Sequence, residues 1–213
     1  MERWATFDCY GTLIDWNAGI GRELERLFGA ARAGELLRAY HELEPQLQRD
    51  DPTRSYRDVM TLALARLGAP DEHHDALARS LPEWPPFPEV RASLEEARAR
   101  DWRLAVLSNT DRDLLDASVA RIGVPFDETI VASEIGSYKP APHHWEEFFS
   151  RTGAPREGHV HVAASLFHDV APAAGLGLRT VWINRLGEEP EPQPDVELRT
   201  LAGLADALDS LAA

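Results

Sequence analysis

The chain contains a single cysteine, Cys9, which excludes an internal disulfide and any site built from several thiolates. No apolar run approaches the ~20 residues of a membrane-spanning helix, and the opening MERWATFDCYG has neither the apolar stretch nor the cleavage pattern of a secretory signal. Basic charge is scarce. Against 36 Asp and Glu stand 22 Lys and Arg, and the formal charge of -14 repels nucleic-acid phosphates and anionic bilayers. These absences lead us to expect a soluble, cytoplasmic protein that binds neither nucleic acid nor membrane. A small anion remains admissible wherever a few cations or N–H groups converge.

What is present is an alternation. The short apolar run Trp4 to Phe7 stops at Asp8 and Cys9, ahead of Gly11, and reads as a buried strand. After the proline-rich PEWPPFPEV (82–90), a helical stretch, PEVRASLEEARARD, leads into RLAVLSN (103–109). TIVAS, HVHVAAS and LRTVWINR follow at later intervals. Such alternation predicts parallel strands joined by helical crossovers, with ligands beyond the carboxyl ends of the strands. Between residues 15 and 86 only helical periodicity occurs, as in GIGRELERLFG, AGELLRAYHELEPQLQ, SYRDVMTLALARLG and EHHDALARSL. An inserted helical unit is expected there. LGEEPEPQPDVE reads as an exposed loop before a last helix.

Polar residues recur at the predicted strand ends. A carboxylate such as Asp8 can act as a nucleophile, and the following Gly-Thr supplies a turn and an orienting hydroxyl; taken alone, Asp8 reads equally as a turn residue or cap. Ser108 and Asn109 follow the second strand and Lys139 precedes Pro140. Asp169 follows HVHVAAS. Each has an ordinary reading, as helix cap or solvated loop charge. His159 and His161 lie on one strand face and read as strand histidines rather than metal ligands; His168, beside Asp169, is placed to reach a substrate. Cys9 is expected to point away from Asp8 as a small buried hydrophobe. Trp16 and Trp145 flank the motifs and are candidate pocket walls.

Taken in order, Asp8-Cys9-Tyr10-Gly11-Thr12, Ser108-Asn109, Lys139-Pro140 and the segment around Asp169 resemble the haloacid dehalogenase superfamily over nearly the whole chain. The resemblance implies an α/β fold. Its core is a Rossmann-like parallel sheet from residues 1–14 and 87–213, with a helical cap at 15–86. It also implies roles: Asp8 as nucleophile, Thr12 as its orienter, Lys139 as the fixed positive charge, and Asp169 as the group holding Lys139 or a hydrolytic water. Ser108 and Asn109 become binders of the substrate carboxylate or leaving group.

Tyr10 narrows the resemblance. Phosphatases of the superfamily carry a second aspartate there, because an alkoxide leaving group needs a general acid; a halide does not. Asp-x-Tyr-Gly-Thr is similar to the 2-haloacid dehalogenase branch, and Tyr10 joins the expected substrate-binding set. A cap arginine is implied for the halide, with Arg38 the first candidate and Arg54 and Arg57 the alternatives. Trp145 stands where the branch carries a tyrosine. Ala163 and Ala164 replace residues that help hold magnesium in phosphatases. The expectation is therefore a hydrolase that turns small 2-haloalkanoic acids into 2-hydroxy acids through an aspartyl ester, without a cofactor or metal. A homodimer is compatible with it. The rival is a phosphatase acting on a small phosphate ester with Mg²⁺ on Asp8 and Asp169.

Overall fold

The computed structural model describes residues 2–212. Six strands form one parallel sheet in the order β3-β2-β1-β4-β5-β6, where β1 is Arg3–Phe7, β2 Trp102–Ser108, β3 Glu128–Val131, β4 His159–Ala163, β5 Arg179–Ile183 and β6 Val196–Leu198. The connections run one way along the sheet to β3, then restart on the other side of β1 at β4. That reversal opens a crevice beyond the carboxyl ends of β1 and β4, where parallel sheets bind ligands.

Alternation along the strands sets the two apolar layers. Leu104 and Val106 of β2 join Val160 and Val162 of β4 on one face, while Ala105 and Leu107 join Trp4, Trp145 and Phe148 on the other. The flanking helices are α5 (Val90–Ala99), α6 (Arg112–Ile122), α7 (Ala132–Ile135), α8 (His143–Thr152), α9 (Ala171–Gly175) and α10 (Leu204–Leu211). Each large aliphatic or aromatic side chain buried here contributes roughly 1.5–3 kcal/mol.

Four helices fill the interval between β1 and α5: α1 (Trp16–Phe28), α2 (Ala30–Asp50), α3 (Tyr56–Arg66) and α4 (Ala76–Ser80). Their apolar stripes close on one another through Ile20, Leu24, Leu36, Leu47, Val59 and Leu64, in a cluster continuous with one face of the sheet. The two connections lie side by side, since Asp15 N donates to Pro85 O at 2.9 Å and Phe87 N to Leu13 O at 3.0 Å. The chain thus leaves and re-enters the sheet region at one seam, where Trp84 packs so closely on Gly19 that a Cβ there would lie 2.4 Å from the indole ring.

A second tie comes from α6, whose Asp111 accepts the Tyr56 and Arg57 amides at 2.9 and 3.0 Å. A carboxylate on free N–H groups at a helix start is favourable.

The loop predicted at 186–197 needs a correction. Its last residues enter β6, because Asp195 accepts the Thr180 amide at 2.7 Å and sets Val196 in register with Val181. Among the described residues, no helix is long and apolar enough to cross a membrane.

Candidate active site

β1 delivers Asp8 to the crevice, its amide donating to Val162 O at 3.1 Å. Gly11, at φ 94°, turns the chain back as only glycine readily does. Thr12 then reaches Asp8, its Oγ1 donating to Oδ2 at 2.9 Å and accepting from Ala164 N at 2.9 Å. From the loop before α8, Lys139 Nζ donates to Asp8 Oδ1 at 2.9 Å, Asp169 Oδ1 at 2.6 Å and Leu107 O at 2.8 Å. All three ammonium protons are thereby used. Asp8 is 8% exposed, Lys139 and Asp169 1% each.

One ammonium thus serves two carboxylates. Burial pushes the Asp169 carboxyl up, but Lys139 and His161 reverse this and hold it well below the usual range. For Asp8 burial prevails over Lys139, and with repulsion from Asp169 its pKa is raised. Burial alone would lower the pKa of Lys139; the two carboxylates raise it.

Asp169 sits on one π-helical turn, Leu166–Val170, started by Ser165, whose Oγ accepts the His168 amide at 3.0 Å. Such turns often mark functional sites. Beneath it His161 Nε2 contacts Asp169 Oδ1 at 3.1 Å, and Nδ1 contacts Thr6 Oγ1 at 2.8 Å. A carboxylate only accepts, so Nε2 carries the proton; in the uncharged ring Nδ1 then accepts from Thr6, which accepts from His159 Nε2 at 2.9 Å.

The second motif divides its labour differently from the expectation. Asn109 Nδ2 donates to Lys139 O at 3.0 Å and its Oδ1 accepts Lys139 N at 2.7 Å, so its amide clamps the lysine backbone rather than facing a ligand. Ser108 Oγ is buried with no partner among the described residues. Its carbonyl accepts from His144 Nε2 at 3.1 Å, and burial lowers the His144 pKa to about 3.

Other expectations are corrected by position. Trp145 is fully buried in the Trp4–Phe148 layer, edge-on to His161 at 5.2 Å, and forms no pocket wall. α8 turns that face toward the sheet, so the ring backs the histidine that holds Asp169. Arg38 is exposed on α2 and has no hydrogen-bond or ion-pair partner among the described residues. Arg54 is turned to Leu47 O and Asp51, and Arg57 to Asp113. Tyr10 lies between sheet and helical insert, stacked on Tyr56 at 6.4 Å. Its hydroxyl is committed to Ser118 Oγ at 3.1 Å and Leu114 O at 3.4 Å, and burial raises its pKa far above the ordinary value. Cys9 is buried, as expected, and burial raises its thiol pKa well above normal.

A cavity of about 420 Å³ reaches Lys139 from outside, between Pro45, Gln48 and Arg49 of α2 and Tyr138, Phe167 and His168 of the core loops. His168 therefore lies on the approach, where burial lowers its pKa to about 4. Phe167 is 54% exposed at the rim. Sequence reasoning missed the contacts of His161 and His144 and the whole inner stripe of α2. Only that stripe left a signal, in the i, i+4, i+8 spacing of Tyr40, Glu44 and Gln48. Among the described residues, no three His, Cys, Asp or Glu gather as a metal-ligand set.

Comparison with known proteins gives a consistent grouping. The family model for haloacid dehalogenase-like hydrolases matches residues 3–177. An (S)-2-haloacid dehalogenase of Pseudomonas sp. strain YL is 29% identical over 97% of this chain and 94% of its own length. A phosphoserine phosphatase of Thermus thermophilus is 33% identical over 66% of this chain and 60% of its own length. The crystal structure of the L-2-haloacid dehalogenase RSc1362 superposes with a TM-score of 0.86 at 25% identity, covering 99% of both chains.

Proposed function

The chain belongs to the haloacid dehalogenase-like hydrolases, and on that premise we propose that it cleaves the carbon–halogen bond of small 2-haloalkanoic acids. The single observation that carries the choice is Tyr10. Two residues beyond Asp8 its hydroxyl is bonded to α6 and its proton is held by burial, so this position does not supply the general acid that the phosphatases of the superfamily carry there. A halide departs as a weak base, whereas an alkoxide needs a proton. The likeness to haloacid dehalogenases along nearly the full chain supports the same reading.

In the proposed mechanism an oxygen of ionised Asp8 attacks the halogen-bearing carbon. The C–O bond forms as the C–X bond breaks, and its electron pair leaves with the halide. Water then adds to the Asp8 carboxyl carbon, the 2-hydroxy acid departs, and the carboxylate is restored. Lys139 steadies the charge on Asp8 through both steps, and Thr12 fixes its second oxygen. Asp169, held ionised, positions Lys139. The unpartnered Ser108 hydroxyl is the group we assign to the substrate carboxylate. Residues 15–86 act as the cap that closes on the bound acid. No metal enters these steps. Lys139 supplies positive charge to one oxygen each of Asp8 and Asp169, and Ala163 and Ala164 offer no side-chain ligand, which supports a reaction that runs without Mg²⁺.

The test is halide release from chloroacetate and 2-chloropropionate under exhaustive chelation, with a single turnover in ¹⁸O-water at excess enzyme. Release should persist, the first product should be unlabelled and Asp8 should acquire the label. Magnesium-dependent hydrolysis of phosphoserine without halide release would instead identify a phosphatase.

A further inference from the structure

In-line attack sends the leaving group away from Asp8, toward the helices that cover it. Of the three candidate arginines, Arg54 is turned to Leu47 O, Arg57 to Asp113 and Arg38 is exposed, while Arg49 stands exposed at the cavity rim. The inner stripe of α2 instead presents Tyr40, Glu44 and Gln48. Glu44 is 4% exposed and takes Gln48 Nε2 on Oε1 at 3.0 Å. Gln48 lines the cavity whose floor is Lys139. The Tyr40 hydroxyl is buried and has no partner in hydrogen-bond geometry among the described residues, although Tyr56 lies near enough to influence it. Tyr56 in turn stacks on Tyr10, two residues from the nucleophile. A buried carboxyl with no cation partner among the described residues and a buried phenol with a free hydroxyl thus sit in the helical insert, next to the Tyr56 that stacks on Tyr10.

We propose that Glu44, in its protonated form, and the neighbouring Tyr40 hydroxyl donate hydrogen bonds to the halide as it leaves Asp8's substrate carbon. This rests on the haloacid reading above. No proton is transferred: the electron pair goes to the halide, and Glu44 keeps its O–H. Donors in a dry site stabilise charge that appears only in the transition state, and a carboxyl held neutral by an apolar pocket is a known way to supply one.

The surroundings keep Glu44 in that state. Burial is the main cause raising its pKa, to about 7; Asp8 adds to it, while Tyr56 and Gln48 partly offset it. The groups facing it are Tyr40 and Gln48 from α2, Tyr56 from α3, Asp8 with its bound Lys139 from the core, and Tyr138, whose hydroxyl is tied to Arg54 O at 2.7 Å. A raised acid pKa means the donor is present at low pH and lost as pH rises through about 7.

The experiment follows kcat/KM for chloroacetate against pH in the wild type, Glu44→Gln and Glu44→Ala, alongside difference infrared titration of buried carboxyls. Wild-type kcat/KM should fall about tenfold per pH unit above about pH 7. Glu44→Gln keeps a donor, so at about pH 6 it should lose about three- to fivefold and lack that limb; Glu44→Ala should lose about a hundredfold there. A protonated carboxyl titrating near neutrality should vanish from the infrared spectrum of both variants. An unchanged limb in Glu44→Gln, an undiminished Glu44→Ala, or a carboxyl band that survives both would overturn the proposal. Absence of halide release from every protein, with the Glu44 band intact, would instead defeat the haloacid reading.

Discussion

The polar cluster on the sheet and the polar cluster in the helical insert are built on opposite plans. On the sheet side Asp8, Lys139, Asp169, His161 and Thr6 form a charged chain in which each group meets a partner. On the helical side Tyr40, Glu44, Gln48 and Tyr56 are buried among apolar side chains; among the described residues none of them meets a cation, and the Tyr40 hydroxyl has no partner. Buried charges need partners and geometry to offset their desolvation, so the sheet side is fixed in advance. With no cation beside it, Glu44 is pushed toward its neutral form, its pKa raised to about 7 by burial. The contrast suggests that the strands hold the group that reacts, while the insert decides what is accepted.

The sharpest way to break this comparison is to remove the cation. Lys139→Met would leave two carboxylates together in a buried site, and halide release should fall about 10³-fold or more. Asp8 should then ionise only at higher pH, because the charge that opposes its burial is gone. Measuring kcat against pH checks both. A variant as active as the wild type would mean that the charged chain contributes nothing to turnover.

A smaller effect is expected one step back in the chain. His161→Gln should weaken the hold on Asp169 without touching substrate, costing about ten- to thirtyfold in kcat with KM nearly unchanged. A loss confined to KM would put His161 on the substrate instead.

How far the sequence foretold this depends on which contacts are local. The apolar run in RLAVLSN and the alternation in HVHVAAS were enough to place β2 and β4, the end of β1 located Asp8, and Lys139 and Asp169 were legible only as Lys-Pro and as the carboxylate beyond β4. β6 was hidden because three residues after a proline-rich loop carry no periodic signal, and only register with β5 makes them a strand. The bonds of Asn109 to the Lys139 backbone were not legible, since its side-chain direction is set by a loop 30 residues away. His161 looked ordinary for the same reason: alternation gives its face, not the Asp169 above it. Glu44 on a helix normally reads as a solvated charge, and only the packing of α2 against α3 buries it.

The last prediction uses the opposite signs of the two clusters. Asp169 is depressed below 3.8, so its contribution to stability is present above the unfolded-state value and is lost as pH falls through its folded one. Glu44 is raised from 4.5 to about 7, so its contribution is full below 4.5 and is lost as pH rises through about 7. Between about pH 6 and pH 8 only Glu44 of this pair changes protonation, and the wild type should lose about 1 kcal/mol more than Glu44→Gln. For a chain of this size that is a Tm difference of roughly 2–4 °C, within reach of calorimetry. Asp169→Asn should leave that interval unchanged and flatten only the acid side. If Glu44→Gln follows the wild-type curve from pH 6 to 8, Glu44 is not the neutral acid that distinguishes the helical side from the sheet side.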